Sequence, residues 1–272
     1  MKRSRICLVG ALAAAAALAP ATAQAATERV YLQFNLAGNT QHGGDTGVAD
    51  AVANSVEDRK PSVVTLNEVC GSQYTRLTQR LADEGYHSAA GATGPTCDNG
   101  TKYGNAIFVH NSVREYADYR LPKTSDQSEP RRMLCVAATE GKSMACVTHL
   151  SKGEFKEERK KQVEFVAGKA QEFEAAGYRV IIGGDFNTEP RADIIDPMFA
   201  SCYRPNGSGK LYEAASERCG RRAGEATTDH GGTDGAGKID YLFFSGEYRA
   251  LSADAVPVGV SDHHLLWAKA SR

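Results

Sequence analysis

The sequence VIIGGDFNTEP at residues 180–190 decides the fold of this chain. Its Val-Ile-Ile run is short, apolar and β-branched, which predicts a strand buried on both faces. We expect the two glycines that follow, Gly183 and Gly184, to turn the backbone tightly. Asp185 and Asn187 come next, and two residues at this spacing point to the same side if the strand continues. Because buried polar groups are costly unless they bind something, this strand end is a candidate polar site.

The first 25 residues have the features of a secretory signal peptide. Three basic residues precede an apolar run from Ile6 to Ala19, and Ala23-Gln24-Ala25 matches the small-x-small cleavage pattern. The apolar run is too short to span a membrane. We therefore expect a signal peptide at residues 1–25, a single mature domain at residues 26–272, and a secreted, extracellular protein.

The overall charge argues against a passive nucleic-acid-coating role. The full chain carries 32 basic and 33 acidic residues, and loss of Lys2, Arg3 and Arg5 with the leader makes the mature chain more acidic. Proteins that coat nucleic acid are normally strongly basic. An enzyme that acts on phosphates through a metal ion needs no such excess, so the composition leaves catalysis open.

Six cysteines follow the leader, and an even number in an exported chain predicts three disulfides. One pair has a local argument, because a two-residue hairpin turn at Glu140-Gly141 places Cys135 opposite Cys146. A zinc site is the competing interpretation and the weaker one, since the chain has no Cys-x-x-Cys pair. The other two pairs rest on proximity along the chain alone: Cys70 with Cys97, and Cys202 with Cys219.

Strand and helix patterns alternate along the rest of the chain and predict two packed sheets flanked by helices. Residues 201–238 form a long Gly-rich segment with little periodicity, which is typical of a functional loop or of one fixed by a disulfide. The predicted helices are 48–59, 71–81 and 155–176. The predicted strands are 28–36, 62–68, a short one at 86–88 followed by a loop through 94–97, 103–109, a hairpin across 135–146, 180–182, 238–244 and one after 264.

Polar residues stand at the ends of several predicted strands. Taken singly, each is explained equally well as an ordinary strand end, a salt bridge or a solvated turn. Taken together, their carboxylates and amides are ligands that Mg²⁺, Mn²⁺ or Ca²⁺ prefers, and two histidines beside such an ion suit acid–base chemistry on a phosphate ester. No Gly-x-Ser-x-Gly elbow or Walker loop is present. The set comprises Asn35, Glu68, His149, Asp185, Asn187, Asp240, Asp262 and His263.

This set lies in six sequence motifs: Asn35, Leu66-Asn67-Glu68, Thr148-His149-Leu150, Gly184-Asp185-Phe186-Asn187, Ile239-Asp240-Tyr241 and Ser261-Asp262-His263. Their order, over nearly the whole mature chain, resembles the endonuclease/exonuclease/phosphatase superfamily, which includes deoxyribonuclease I and bacterial sphingomyelinases. Gly-Asp-Phe-Asn and Ser-Asp-His in this order are specific, whereas Thr-His-Leu alone is not. The resemblance implies a deoxyribonuclease I-like, four-layered α/β sandwich, in which two packed mixed β-sheets are flanked by helices and the site lies at one rim.

Carried over residue by residue, the resemblance implies which residues bind the metal ion and which activate the attacking water. Glu68 would hold the metal ion, assisted by Asn35 and Asp262. His263, oriented by Asp240, would be the general base that activates water. An alternative assignment makes Asp185 the base, and the sequence does not decide between the two.

The remaining implied roles concern the phosphate. Asp185 and Asn187 would position the water and stabilise charge on the phosphate oxygens. His149 would protonate the leaving oxygen, as in the deoxyribonuclease and sphingomyelinase branches, whereas abasic-site endonucleases of the superfamily lack this histidine. Asn67 stands where the family often has Gln, and we expect this departure to be minor.

The leading hypothesis is a secreted, monomeric nuclease that hydrolyses DNA or RNA with Mg²⁺ (or Mn²⁺ or Ca²⁺) and does not insert stably into membranes. The alternatives are a sphingomyelinase or phospholipase C-type phosphodiesterase and a phosphomonoesterase on a small metabolite. Membrane-active members need an exposed apolar hairpin, and the single Trp267 falls in a predicted buried strand. The arginine doublets at 131–132 and 221–222 are expected to be solvated, with phosphate contact as the alternative. A non-catalytic binding protein is disfavoured because every expected acid, base and metal residue is present.

Overall fold

The computed structural model describes residues 27–110, 112–126, 128–138, 142–229 and 237–272. The predicted signal peptide lies outside these ranges, as does the predicted turn at Glu140-Gly141. Within the described part, two six-stranded sheets pack against each other. Each sheet contains one parallel pair of strands among antiparallel neighbours, so both are mixed.

The strands of the first sheet are β1 (Glu28–Asn35), β2 (Val63–Cys70), β3 (Tyr86–Thr96), β4 (Lys102–His110), β11 (Arg249–Val256) and β12 (Leu265–Ser271). The strands of the second sheet are β5 (Val113–Arg120), β6 (Arg132–Ala138), β7 (Ser143–His149), β8 (Arg179–Asp185), β9 (Tyr212–Glu213) and β10 (Asp240–Phe244). Their order is β11-β12-β1-β2-β4-β3 in the first sheet and β5-β6-β7-β8-β10-β9 in the second. Helices α1 (Gly47–Arg59) and α2 (Gly71–Ala82) cover the first sheet, and α3 (Lys156–Ala175) covers the second.

Three apolar cores separate four layers, which confirms the predicted α/β sandwich. One core lies between the first sheet and the helices α1 and α2, where Leu32 and Phe34 of β1 are fully buried. A second lies between α3 and the second sheet. The third lies between the two sheets and contains Tyr31 of β1 and Ile181 of β8. Because side chains alternate along a strand, every central strand supplies residues to two cores.

The face of each central strand that points to the other sheet changes from apolar to polar along its length. On β1 the inter-sheet residues run from Tyr31 through Gln33 to Asn35, and all three are buried. On β8 they run from Ile181 through Gly183 to Asp185. The apolar ends hold the sheets together, and the polar ends meet at one rim of the sandwich.

Gly183 and Gly184 lie inside β8 and do not turn the chain, so this part of the prediction is wrong. Neither glycine has a positive φ. A Cβ on Gly183 would lie 2.0 Å from Oγ1 of Thr65 in the opposite sheet, and a Cβ on Gly184 would lie 2.1 Å from the carbonyl oxygen of Thr148 on β7. Glycine is therefore required here for the close approach of two sheets and two strands rather than for a turn.

The structure also differs from the prediction in other strands. The predicted loop at 94–97 is largely strand, because β3 pairs with β4 as far as Thr96 across a bulge. The strands β5 and β11 were not predicted from the sequence. Both lie at sheet edges, where one face contacts solvent and the burial pattern is mixed, so neither has a clear apolar run.

The three predicted disulfides are present. Cys135 and Cys146 are directly paired across β6 and β7, as the hairpin argument requires. Cys70–Cys97 links the end of β2 to the β3–β4 connection, and Cys202–Cys219 closes part of the long segment before β10. Three disulfides are typical of a protein that folds in an oxidising compartment. Among the described residues, no helix has both the length and the apolar character of a membrane span.

We predict that Gly183→Ala lowers the free energy of unfolding by about 1–3 kcal/mol, because the added methyl group collides with Thr65 in the other sheet. The measurement is urea-induced unfolding. The matched control is Gly168→Ala in α3, where an added Cβ meets nothing within 4 Å and helix propensity favours alanine. Equal stability of the Gly183→Ala variant and the wild type would contradict the proposed close packing.

Candidate active site

Strand register brings three of the predicted residues side by side. In the parallel pair of β7 and β8, His149 is opposite Asp185. In the antiparallel pair of β8 and β10, Asp240 is opposite Asp185. Residues opposite each other in a sheet point to the same face, so all three side chains face the first sheet at its polar end. There they meet Asn35, Glu68 and His263, and these six residues are called the rim cluster below.

Asp185 is the centre of the rim cluster and is 2% exposed. Its Oδ2 lies 3.2 Å from Nδ2 of Asn35, 3.4 Å from Nε2 of His149 and 3.8 Å from Nε2 of His263. Its Oδ1 accepts a hydrogen bond of 2.8 Å from the backbone N–H of Asn187. One buried carboxylate is therefore surrounded by nitrogen atoms from both sheets.

Glu68 is placed by a backbone irregularity at the end of β2. The pairing of β2 with β4 shifts between Leu66 and Val69, and Glu68 at the shift has φ +58°. A non-glycine residue in this conformation is strained and persists only where its surroundings hold it. The bulge leaves the Glu68 side chain half-buried, with Oε1 accepting a hydrogen bond of 3.2 Å from Nδ2 of Asn35. Asn35 thus joins the carboxylates of Glu68 and Asp185 through one amide group.

His263 and Asp240 form a hydrogen-bonded pair at the other side of Asp185. Nδ1 of His263 lies 2.8 Å from Oδ2 of Asp240. Gln33 contacts the second oxygen of Asp240 at 3.3 Å. The Ser-Asp-His turn is fixed by Ser261, whose hydroxyl donates to the carbonyl of Asn35 and accepts from the backbone N–H of His263. The imidazole is therefore oriented with Nε2 toward Asp185.

Two of the predicted residues lie next to the rim cluster rather than inside it. Strand β8 ends at Asp185 and Asn187 has φ +48°, so the extended geometry does not continue; Nδ2 of Asn187 donates to the carbonyl of Leu150. The carboxylate of Asp262 accepts a hydrogen bond of 2.8 Å from Gln41. The negative charge of Asp262 nevertheless acts on the neighbouring His263.

Asn67 has a larger structural role than its sequence position indicated. It is fully buried between the sheets, and its Oδ1 accepts from Gln33 and from the backbone N–H of Asp185. Its Nδ2 donates to the carbonyl of Thr148 and to Asn105. Asn67 therefore connects β2 of the first sheet to β7 and β8 of the second, directly beneath the rim cluster.

Arg131 is a member of the site that sequence analysis missed. It was expected to be a solvated partner of Arg132, but it is 5% exposed, and its Nη1 lies 2.9 Å from Nδ1 of His149. Glu129 pairs with it at 3.4 Å. The one sequence signal was the position of Arg131 immediately before β6, the strand paired with the His149 strand. The second doublet is not simply solvated either, because Arg222 is buried and paired with Asp196 at 2.6 Å.

Burial and neighbouring charges shift three pKa values in the rim cluster. Burial raises the pKa of Asp185 to about 7, and the charge of Asp240 adds to the increase. For His263, burial alone would lower the pKa, but the charge and hydrogen bond of Asp240 outweigh it and raise the pKa to about 10. Burial, with the charge of Arg131, lowers the pKa of His149 well below its usual value. Because Arg131 donates to Nδ1 of this neutral imidazole, the ring proton is on Nε2.

Two donor sets at this rim fit a divalent cation. Glu68 and Asp185 present carboxylate oxygens around Asn35, which suits a hard cation, and Glu68 is accessible. Ligand atoms of Asp185, Asp240 and His263 also lie within 4.8 Å of one another, and all three residues are buried. In that second set the Nδ1 of His263 is already engaged by Asp240, which favours proton transfer over metal binding. In the first set, Glu68 is the accessible oxygen donor and fits a metal ion best, whereas Asp185 is almost fully buried.

Comparison with solved structures shows a shared fold. An endonuclease/exonuclease/phosphatase family protein from Bacteroides thetaiotaomicron matches with a TM-score of 0.70 and 17% identity, over 91% of this chain and 99% of that one. The human Nocturnin catalytic domain, solved with a bound sulfate anion, matches with a TM-score of 0.69 and 18% identity, over 90% of this chain and 94% of that one. A mannosyl-6-phosphatase from Bacteroides thetaiotaomicron matches with a TM-score of 0.66 and 15% identity, over 88% of this chain and 98% of that one.

Sequence comparison identifies the family. No functionally curated protein matches the chain significantly. The model of the endonuclease/exonuclease/phosphatase family matches residues 32–263, a span that contains the whole rim cluster. The chain therefore belongs to the endonuclease/exonuclease/phosphatase family, whose members are metal-dependent phosphoric ester hydrolases.

Proposed function

We propose that this protein is a divalent-metal-dependent phosphodiesterase that hydrolyses nucleic acid. The observation that carries the proposal is the convergence of three carboxylates and two histidines on one rim, with Oδ2 of Asp185 within 3.8 Å of both imidazoles. This arrangement combines oxygen ligands for a hard cation with groups that accept and donate protons, as hydrolysis of a phosphodiester requires.

Glu68 would hold the metal ion, with Asn35 holding the carboxylates of Glu68 and Asp185 toward each other. When bound, Mg²⁺, Mn²⁺ or Ca²⁺ would supply positive charge that stabilises the phosphate in the transition state. The oxygen of Asn35 accepts a hydrogen bond of 3.0 Å from the backbone N–H of Ala37, so its NH₂ group faces the carboxylates. Asp262, which is adjacent to His263 in the chain, would add negative charge near the metal ion.

The proton of the attacking water has two candidate acceptors, and the pKa values favour Asp185. A general base works best when its pKa lies near the working pH. The pKa of Asp185 is about 7, whereas His263, with a pKa of about 10, is protonated at neutral pH. In this assignment the charged His263, held by Asp240, stabilises negative charge on the phosphate oxygens. Asn187 supports the base through the backbone N–H that binds Oδ1 of Asp185.

His149 would act on the leaving oxygen. Its Nε2–H points into the rim cluster toward Asp185, while Arg131 holds Nδ1 on the other side. As the P–O bond breaks, the leaving oxygen gains negative charge, and a fixed N–H donor in a buried site stabilises that charge strongly. His149 is neutral, so its Nε2–H would donate a hydrogen bond to the leaving oxygen and keep its proton, whereas the family resemblance implied proton transfer from this residue.

One protein of similar fold is a mannosyl-6-phosphatase, whose name denotes a phosphomonoesterase. A sphingomyelinase-type or phosphomonoesterase activity is therefore included in the test below. The predicted signal peptide and the three disulfides support secretion into an oxidising environment, where free nucleic acid is an available substrate.

We expect the purified mature protein with Mg²⁺ or Mn²⁺ to hydrolyse DNA or RNA, and EDTA to abolish the activity. Plasmid DNA, RNA, sphingomyelin vesicles and p-nitrophenyl phosphate are the substrates to compare. Glu68→Gln should reduce activity below about a tenth of wild type while leaving the melting temperature unchanged, because it removes a metal ligand from a half-buried position. The control is Glu154→Gln, which makes the same change at an exposed position just before α3. Activity only on sphingomyelin or only on the monoester would contradict the nuclease assignment.

The pH dependence tests which group is the base. A base must be ionised, so kcat/KM should rise with pH through about 7 and then level off if Asp185 accepts the proton. If His263 were the base, the rise would lie near 10. We expect Asp185→Asn to lose at least ~10²-fold in kcat/KM and to lose the rise near 7. We expect His263→Asn to lower activity but to keep the rise of kcat/KM with pH. If the Asp185→Asn variant still showed that rise, the assignment of Asp185 as the base would be refuted.

A further inference from the structure

A cavity of about 620 Å³ opens between the edges of the two sheets, beside the rim cluster. Its walls come from the end of β3, the start of β4, the end of β5 and the segment that leads into β6. The volume lies within the usual range of ligand-binding pockets. Arg131 joins the cavity to the rim cluster, because it lines the cavity and also contacts His149.

The cavity has an excess of positive charge. Two of its basic residues are paired: Arg131 with Glu129 and Arg132 with Asp118, the latter at 2.7 Å. Three further basic residues line the cavity, all are exposed, and none forms an ion pair with any residue in the described ranges. These three are Lys102, Arg120 and Lys123.

The buried end of the cavity also lacks a hydrogen-bond acceptor. Arg131 is 5% exposed, and its Nε is buried without a hydrogen-bond partner among the described residues. A buried charged donor without an acceptor is unfavourable, since it has lost its hydration without replacement. An anionic group with several oxygen atoms would provide that acceptor.

The basic cavity is part of a longer groove. A second cavity of about 670 Å³ adjoins it, because Ala92 and Lys102 line both. The second cavity extends to Asn105, which hydrogen-bonds to Asn67 below the rim cluster. Two adjoining cavities on either side of Lys102 offer more length than one phosphate ion needs, which favours a chain-like ligand.

We propose that Lys102, Arg120 and Lys123 bind a second phosphate of a nucleic-acid strand while a neighbouring phosphodiester occupies the rim cluster. The inference rests on the proposed function and narrows its substrate to a polymer with several phosphates. Sphingomyelin or a sugar monophosphate has only one phosphate in each molecule and leaves this subsite empty. The near-neutral charge of the whole chain, −1 at pH 7, is compatible with this site, since the cations are concentrated locally.

The test compares the double variant Arg120→Ala/Lys123→Ala with wild type on two substrates. Bis(p-nitrophenyl) phosphate has one phosphodiester and no neighbouring phosphate, whereas a 12-nucleotide single-stranded DNA has many. We expect the ratio of kcat/KM for the oligonucleotide to that for the simple diester to fall by at least ~10-fold, mainly through KM, because the variant lacks two phosphate-binding side chains. The slope of log(kcat/KM) against log salt concentration should become shallower by about 0.7 for each cationic side chain that no longer neutralises a phosphate.

The matched control is Lys160→Ala/Lys161→Ala, which removes two exposed positive charges from α3. We expect it to leave both the substrate ratio and the salt slope unchanged. An unchanged ratio in the Arg120/Lys123 variant, or an equal loss on both substrates, would overturn the inference while leaving the phosphodiesterase assignment intact. Loss of sphingomyelin hydrolysis without loss on the oligonucleotide would also overturn it. A wild-type protein that cleaves neither diester would refute the proposed function itself.

Discussion

The hydrogen bonds of Asn67 are the constraint on which the site depends. This fully buried amide contacts Gln33 and Asn105 within its own sheet, and the backbones of Thr148 and Asp185 in the opposite sheet. All of its polar atoms are satisfied, which is the condition for a buried polar group to favour one arrangement rather than to destabilise the core. Asn67 thereby sets how the ends of β2, β7 and β8 face each other. The residue next to it, Glu68, is carried by the bulge to the rim.

The rim cluster follows from one gradient along the inter-sheet face. At one end of the sandwich, Tyr31 and Ile181 bury apolar surface and hold the sheets together. Toward the other end, the same face carries amides, glycine and carboxylates, and the absent side chain of Gly183 lets the sheets approach closely. Burial at this polar end raises the pKa of Asp185, and the opposite charge of Asp240 keeps His263 protonated. The apolar end of the inter-sheet interface thus stabilises the fold, and the polar end carries the reactive groups.

Much of the fold and the identity of the rim residues could be predicted from the sequence, because apolar runs and motif order report directly on buried strands. Contacts across the sheets could not be predicted. Gly183 was expected to turn, since sequence alone does not show Thr65 against it. Asn67 was noted only as a minor departure from the family's Gln, because its four partners lie far apart in the chain. Arg131 was expected to be solvated, since only the pairing of β6 with β7 places it beside His149.

The central claim is that distant side chains form one cation-binding cluster at one rim, and paramagnetic broadening by Mn²⁺ tests it directly. The measurement is an NMR titration of the histidine ring signals with substoichiometric Mn²⁺, whose effect is confined to nearby nuclei. We expect the signals of His149 and His263 to broaden first. His87 and His110, at the far ends of β3 and β4, should stay sharp. Uniform broadening of all four, or broadening of His87 and His110 alone, would contradict the account.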